Sequence, residues 1–220
     1  MQRNYYANQL NAEKLRKVYA LAGPRVRQYL QAEIDLLAAM AGSGDQVLEL
    51  GCGYGRVLSR VGGHGVGVDL SLDSLELARS THPDLGFALM DAARLGFGDM
   101  CFDLVFGVQN FISICRVPPA ELLREALRVT RPGGRVVLAS YAAGFWPHRL
   151  AWFQRQAEAG LIGPIDKAAT GDGVIVGRDG FRATRFGRDA FAALAAAVDC
   201  RAKVYEVDAS SLFFEVVAGR

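Results

Sequence analysis

With 220 residues, 51% hydrophobic and 22% charged, the chain has material for one full core and fits a single compact domain. Its formal net charge is +2, with both signs scattered along the chain, which excludes the one-signed footprint of a nucleic-acid or anionic-membrane binder and leaves a small-molecule partner. Four cysteines, Cys52, Cys101, Cys115 and Cys200, form no C-x-x-C pair; the pattern argues against a zinc site and a disulfide framework, and suits a reducing cytoplasm.

The first residues, polar and aromatic, lack the basic start and apolar run of a signal peptide. No segment approaches the roughly 18 consecutive apolar residues of a membrane span, so a cytoplasmic protein, monomeric or homodimeric, is expected. From Leu10 to about Met40 the periodicity is helical. Leu15, Val18, Tyr19 and Ala22 recur at three- and four-residue spacing, and Pro24 permits a new start. Val26, Tyr29, Leu30, Ile34 and Leu37 continue a second helix that ends near Gly42-Ser43-Gly44.

Strands and helices then alternate, the signature of a parallel sheet covered on both faces. Gln46 to Leu50 reads as the first strand, followed by a glycine loop and a short helix around Arg56 to Val61. Gly65 to Asp69 is the second strand, and Ser71 to Ser80 a helix capped by Ser71. Phe87 to Met90 and Phe102 to Gly107 are the third and fourth strands, with a helix over Pro119 to Val129. Arg131-Pro132-Gly133-Gly134 has turn chemistry before a fifth strand, Arg135 to Tyr141. Alternation fails from Ala142 to Asp172, which reads as an insertion over the sheet edge. Gly187 to Val198 is helical again, and Arg201 to Val207 and Ser211 to Ala218 are closing strands joined by Asp208-Ala209.

Glycines after a strand permit positive backbone dihedrals and close approach of a ligand. Gly51, Gly53 and Gly55 do not have the G-x-G-x-x-G spacing of a dinucleotide site, because Arg56 stands where its third glycine belongs. No G-K-[ST] follows, which excludes a P-loop.

Glu49-Leu50-Gly51-Cys52-Gly53-Tyr54-Gly55, an acidic-x-G-x-G-x-G pattern, resembles motif I of class I S-adenosylmethionine-dependent methyltransferases, in particular small-molecule enzymes of that superfamily. Three further features stand in the matching order: Val66-Gly67-Val68-Asp69, Asp91-Ala92, and Arg131-Pro132-Gly133-Gly134. The resemblance covers roughly Gln46 to Tyr141. It implies a Rossmann-like α/β fold with a seven-stranded, mainly parallel sheet, an antiparallel last strand, helices on both faces and an N-terminal helical lead. The single domain would comprise a lead (1–44), a cofactor-binding core (45–141), an insertion or lid (142–186) and a C-terminal helix with closing strands (187–220).

The resemblance also implies S-adenosyl-L-methionine as cofactor, S-adenosyl-L-homocysteine as its product, and in-line methyl transfer to a small-molecule acceptor. Glu49 would face the methionine ammonium, with the backbones of Gly51, Cys52 and Gly53 beside it. Asp69 would hold the ribose hydroxyls and Leu70 would pack on the adenosine. Asp91 and Ala92 would meet the adenine, and Val108 and Gln109 would lie nearest the sulfonium. The segment Gly107-Val108-Gln109-Asn110-Phe111 departs from the N-P-P-Y and D-P-P-Y signatures of base amino-methylation.

Substrate contacts are expected from the added parts: Tyr5, Tyr6 and Tyr19 of the lead, Asn110, and Trp146 and Trp152 of the insertion. Tyr5 and Tyr6 fit a lid or an idle terminus; Trp146, Trp152 and Phe153 fit a pocket wall or plain packing. Arg25 and Arg27 fit an anionic acceptor or a solvated face. His148 is the one histidine to weigh as a general base, since His64 and His82 fall in surface turns. Two other readings stay open. Cys101 and Cys115 would serve methylation of a metalloid or thiol if they converged, and an idle cofactor-binding module would keep the same motifs. No resident metal is expected.

Overall fold

The computed structural model describes Tyr5 and residues 9–219; Tyr6 lies outside the described residues. Helix α1 (Ala12–Ala20) and helix α2 (Pro24–Met40) form the lead. Pro24 opens α2 at its first turn, where its missing N–H costs nothing. Val26, Tyr29, Leu30, Ile34 and Leu37 bury one stripe of α2, and Glu33 lies in that same stripe.

The core runs β1 (Gln46–Leu50), a 3-10 turn (Leu58–Arg60), β2 (His64–Asp69), α3 (Leu72–Thr81), β3 (Gly86–Leu89), β4 (Phe102–Gly107), α4 (Phe111–Ile114), α5 (Pro119–Val129) and β5 (Thr130–Tyr141). A second 3-10 turn (Ala143–Phe145), α6 (Trp146–Glu158) and a small hairpin of β6 (Val174–Val176) and β7 (Arg182–Thr184) follow. The chain closes with α7 (Arg188–Val198), β8 (Ala202–Val207) and β9 (Ser211–Val217). Asp208 and Ala209 join the last two strands with φ of 56° and 50°, the paired left-handed residues of a tight hairpin.

The seven-stranded sheet has the order β3-β2-β1-β4-β5-β9-β8. All contacts from β3 to β5 are parallel, and β9 runs antiparallel between β5 and β8, so the expected sheet with an antiparallel last strand is present. Alternation along the strands splits the core between two faces. Val105, Val136 and Leu138 pack with Leu122, Ala126 and Phe191 of α5 and α7. Leu104, Phe106 and Val137 pack with Ile34 and Leu37 of α2 and Leu58 of the first 3-10 turn. The chain winds outward from β1 to β3 and then returns to place β4 on the other side of β1. The carboxyl ends of β1 and β4 therefore flank the topological switch point, where open parallel sheets hold their ligands.

Three expectations need correction. The short helix over Arg56–Val61 is only the 3-10 turn Leu58–Arg60, because three glycines and a turn consume the residues a helix would need. Arg131-Pro132-Gly133-Gly134 is no turn before the strand but a bulge inside β5. Phe102 pairs with Thr130 and Leu104 with Arg135, and Gly133 absorbs the excess at φ 83°. The insertion contains a 13-residue helix, α6, whose buried stripe is Arg149, Trp152, Phe153 and Gln156. Half of that stripe is polar, which hides its period. The helix packs on the lead through a third core cluster that includes Val18, Tyr29, Trp152, Phe153 and Phe181.

Candidate active site

At the end of β1 the chain turns through Gly51, Gly53 and Gly55 with φ of 70°, 53° and 80°. These values are open to glycine at little cost and to other residues only with strain. The N–H groups of Gly51 and Cys52 donate to the Val68 carbonyl at 2.8 and 3.0 Å, which folds the loop over the end of β2. Asp69 closes that strand. One carboxylate oxygen accepts the Gly53 N–H at 2.9 Å and the other the Ser71 N–H at 2.8 Å. Burial pushes the Asp69 carboxyl up, and these N–H donors pull it back. Ser71 caps α3 by accepting from the Ser74 N–H at 3.2 Å. After β3, Asp91 accepts the Ala93 N–H at 2.9 Å, which turns its own loop into the same crevice.

The lead forms the roof. The Ala12 N–H donates to the Ser74 hydroxyl at 2.8 Å and Asn11 donates to Asp73 at 2.9 Å. These bonds fasten the start of α1 across α3. Beneath it lies a cavity of about 330 Å³. Gly51, Gly53, Asp69, Leu70, Asp91 and Ala92 line one part of it, and Val108, Gln109 and Tyr19 line another. Glu49 and Cys52 face a small adjoining crevice shared with Tyr19, Tyr54, Arg56 and Gln109. Glu49 is 4% exposed, and one of its oxygens accepts the Leu58 N–H at 2.9 Å. Burial raises its carboxyl to about 8, against the opposing pull of that N–H and of Arg56. The Arg56 guanidinium lies 4.1 Å from the Tyr19 ring centroid and donates to the Gln109 side-chain oxygen. One cation thus ties α1, the glycine loop and the segment after β4 together.

Several substrate-side expectations are corrected. Tyr5 does not reach the cavity; its hydroxyl donates to Asp179 and its ring meets Phe181 edge-on at 5.2 Å. Trp152 takes the packing alternative, buried between α6 and α1 with its indole N–H donating to the Val18 carbonyl at 3.0 Å. Trp146 packs against that cluster and Asn110 is buried at a φ of 81°; neither lines the cavity. His148 is exposed, its ring 5.5 Å from Phe145. Arg25 pairs with Asp208, and Arg27 donates to the Ala22 carbonyl at 2.7 Å. Of Cys101 and Cys115 only Cys115 lines the cavity, while the Cys101 thiol donates to the Gly98 carbonyl.

The sequence reading missed other lining residues. Leu10 and Leu15 come from the lead, Met90 precedes Asp91, and Phe111, Ile114 and Val117 follow β4. Only Met90, beside Asp91, and Phe111, beside Asn110, adjoin an expected position; nothing local pointed to the others. Phe111 in particular sits where a Cβ on Gly51 or Gly107 would come within 2.4 or 2.3 Å of its ring. The carboxyl ends of β1 and β4 are therefore both glycine around one aromatic wedge.

A seven-stranded sheet with this order and one reversed strand, with carboxylates after β2 and β3 around a glycine loop, defines a class I S-adenosylmethionine-dependent methyltransferase fold. Residues 48–138 match the family model of a methyltransferase domain. The chain is 39% identical over 127 residues to a demethylmenaquinone methyltransferase of Beutenbergia cavernae, covering 54% of this chain and 50% of that one. A second demethylmenaquinone methyltransferase, from Paenarthrobacter aurescens, is 37% identical over 105 residues, 45% of this chain and 40% of that one. The chain spans about half the length of the curated relatives it matches. A solved Thermotoga maritima S-adenosylmethionine-dependent methyltransferase, described as a possible histamine N-methyltransferase, matches with a TM-score of 0.69 at 14% identity. That match covers 98% of this chain and 100% of the other, and it shows the fold.

Proposed function

We propose that the protein transfers the methyl group of S-adenosylmethionine to an apolar small-molecule acceptor. The observation that carries this reading is the mixed lining of a single cavity. Backbone glycines and two carboxylates occupy one part, while Leu10, Leu15, Ile114 and Val117 supply apolar walls.

The residues present fit the cofactor. Each Asp69 oxygen accepts one backbone N–H and keeps a further lone pair, so the carboxylate is fixed in place and can still accept from two neighbouring ribose hydroxyls. Asp91 and the Ala92 backbone suit the adenine edge. Glu49, in the adjoining crevice, offers an acceptor for the methionine ammonium. Leu70, 43% exposed, offers an apolar contact.

When bound, S-adenosylmethionine supplies a methyl already activated by its sulfonium, so transfer needs a nucleophile held in line and water kept out. The start of α1, fastened to α3 through Ser74 and Asp73, would limit the access of water. Tyr19, Val108 and Gln109 shape the wall between cavity and crevice. Among the described lining residues there is no histidine, so a proton from the acceptor would have to pass to a carboxylate, Tyr19 or Cys115, or leave before binding.

Calorimetric titration with S-adenosylmethionine and S-adenosylhomocysteine tests the cofactor half. Asp69→Ala should weaken binding about a hundredfold, the loss of two hydrogen bonds to a charged group at about 1.5 kcal/mol each. Radiolabelled methyl transfer to a panel of hydroquinones, phenols and thiols tests the acceptor half. A demethylmenaquinone analogue belongs in that panel because two relatives carry that substrate in their names. No binding by the intact protein sinks the reading; binding without transfer across the panel makes it an idle module.

A further inference from the structure

Glu33 is a carboxylate in a stripe where leucine would pack. It is fully buried on α2 between Tyr29, Leu30, Ile34 and Leu37, and it lines neither the cavity nor the crevice. Its oxygens divide their work: one accepts the backbone N–H of Gln109 at 3.0 Å, the other the Ser211 hydroxyl at 2.7 Å. The charged and titratable groups acting on it are Tyr29 of its own helix, Arg56 of the glycine-loop segment, Tyr19 of α1 and Tyr141 at the end of β5. Burial raises its carboxyl to about 7 despite the opposing hydrogen bonds and Arg56. A group that is this unfavourable to bury is explained by what it bonds.

What it bonds is a strained piece of the cavity wall. Gln109 and Asn110 have φ of 51° and 81° in succession, a left-handed pair without glycine that persists only where its surroundings fix it. Three contacts fix Gln109. Its side-chain amide donates to the Leu30 carbonyl at 3.1 Å, its side-chain oxygen accepts from Arg56, and its main chain is held by Glu33. Of the three, only the bond to Glu33 acts on the backbone.

We infer that Glu33 is a positioning residue, whose carboxylate sets the main chain of the Val108–Gln109 wall and through it the affinity of the cavity for the sulfonium cofactor. This rests on the reading of the cavity as the S-adenosylmethionine site. Glu33→Gln keeps an oxygen for the Gln109 N–H and offers its amide to the Ser211 hydroxyl. Glu33→Leu removes the acceptor and leaves the part-buried Gln109 N–H without it.

The test is titration of the full chain with S-adenosylmethionine, with circular dichroism to establish folding of each variant. Glu33→Gln should bind within about threefold of the parent, and folded Glu33→Leu at least roughly tenfold more weakly. Ser211→Ala frees the far side of the carboxylate with the loss of one atom; it should weaken binding by about threefold and decides the matter if Glu33→Leu does not fold. The inference is overturned if folded Glu33→Leu binds like the parent, if Glu33→Gln is as weak as Glu33→Leu, or if Ser211→Ala leaves affinity unchanged when Glu33→Leu does not fold. A parent protein that does not bind at all condemns the methyltransferase reading; a parent that binds, beside variants that match it, condemns only the role of Glu33.

Discussion

Phe111 makes two glycines obligatory for different reasons. Gly51 needs a positive φ and also lacks room for a Cβ, whereas Gly107 has only the steric reason, its Cβ position lying 2.3 Å from the Phe111 ring. Gly107→Ala should cost about 1–3 kcal/mol, the usual penalty of overpacking, read as a lowered melting temperature. Phe111→Leu in the same chain should recover at least half of the loss. A double-mutant cycle with additive effects would show that the ring is not the cause. The glycines were legible in the sequence because their neighbours along the chain form a motif. Phe111 was not, because it meets Gly51 across the sheet. The aromatic residues of the lead and insertion announced apolar surface but not its direction, so Tyr19 was placed at the site while Tyr5 and Trp152 turned out to hold the insertion against the lead.

At the scale of elements, α6 shows how polar members of a buried stripe obscure a helix. Arg149 is fully buried with its guanidinium 4.2 Å from the Tyr141 ring centroid, and it donates to the Gly173 carbonyl at 2.8 Å. Gln156, 1% exposed, has no hydrogen bond from its side-chain amide to any described residue. Gln156→Met conserves length and removes a buried, unsatisfied amide, so it should stabilise the fold by about 1–2 kcal/mol. Thermal melts should show the midpoint rising; a fall would mean the amide has a partner worth keeping. The strands were legible because each alternates or runs apolar between turn residues. The β5 bulge was not, since Arg-Pro-Gly-Gly has the same local chemistry inside a strand as in front of one, and only pairing with β4 and β9 distinguishes the two.

For the molecule as a whole, two buried glutamates set the slope of stability with pH. Glu33 and Glu49 have folded values of about 7 and 8, above the ordinary 4.5. Between those limits the unfolded chain has released protons that the folded one retains, so stability must fall as pH rises. It is greatest with respect to these groups below about pH 4.5 and is lost through pH 7 to 8. Glu33→Gln and Glu49→Gln should each flatten the decline in melting temperature between pH 5 and pH 8, read by calorimetry without ligand. An unchanged slope would mean neither group titrates in that range. The sheet order was legible from the resemblance and from the alternation of elements. The buried charge was not, because Glu33 occupies a position that helical periodicity assigns to the core, and nothing local marks it as bonded to Gln109.

The replacement of a helix by a single 3-10 turn after the glycine loop has an electrostatic meaning. A full helix would aim several unsatisfied N–H groups and the positive end of its dipole at the loop, which suits a pyrophosphate. Here the turn is three residues long, and the N–H of Leu58 is already taken by Glu49. This segment therefore presents fewer unsatisfied N–H groups to the loop than a full helix would, which removes one attraction for an anionic group.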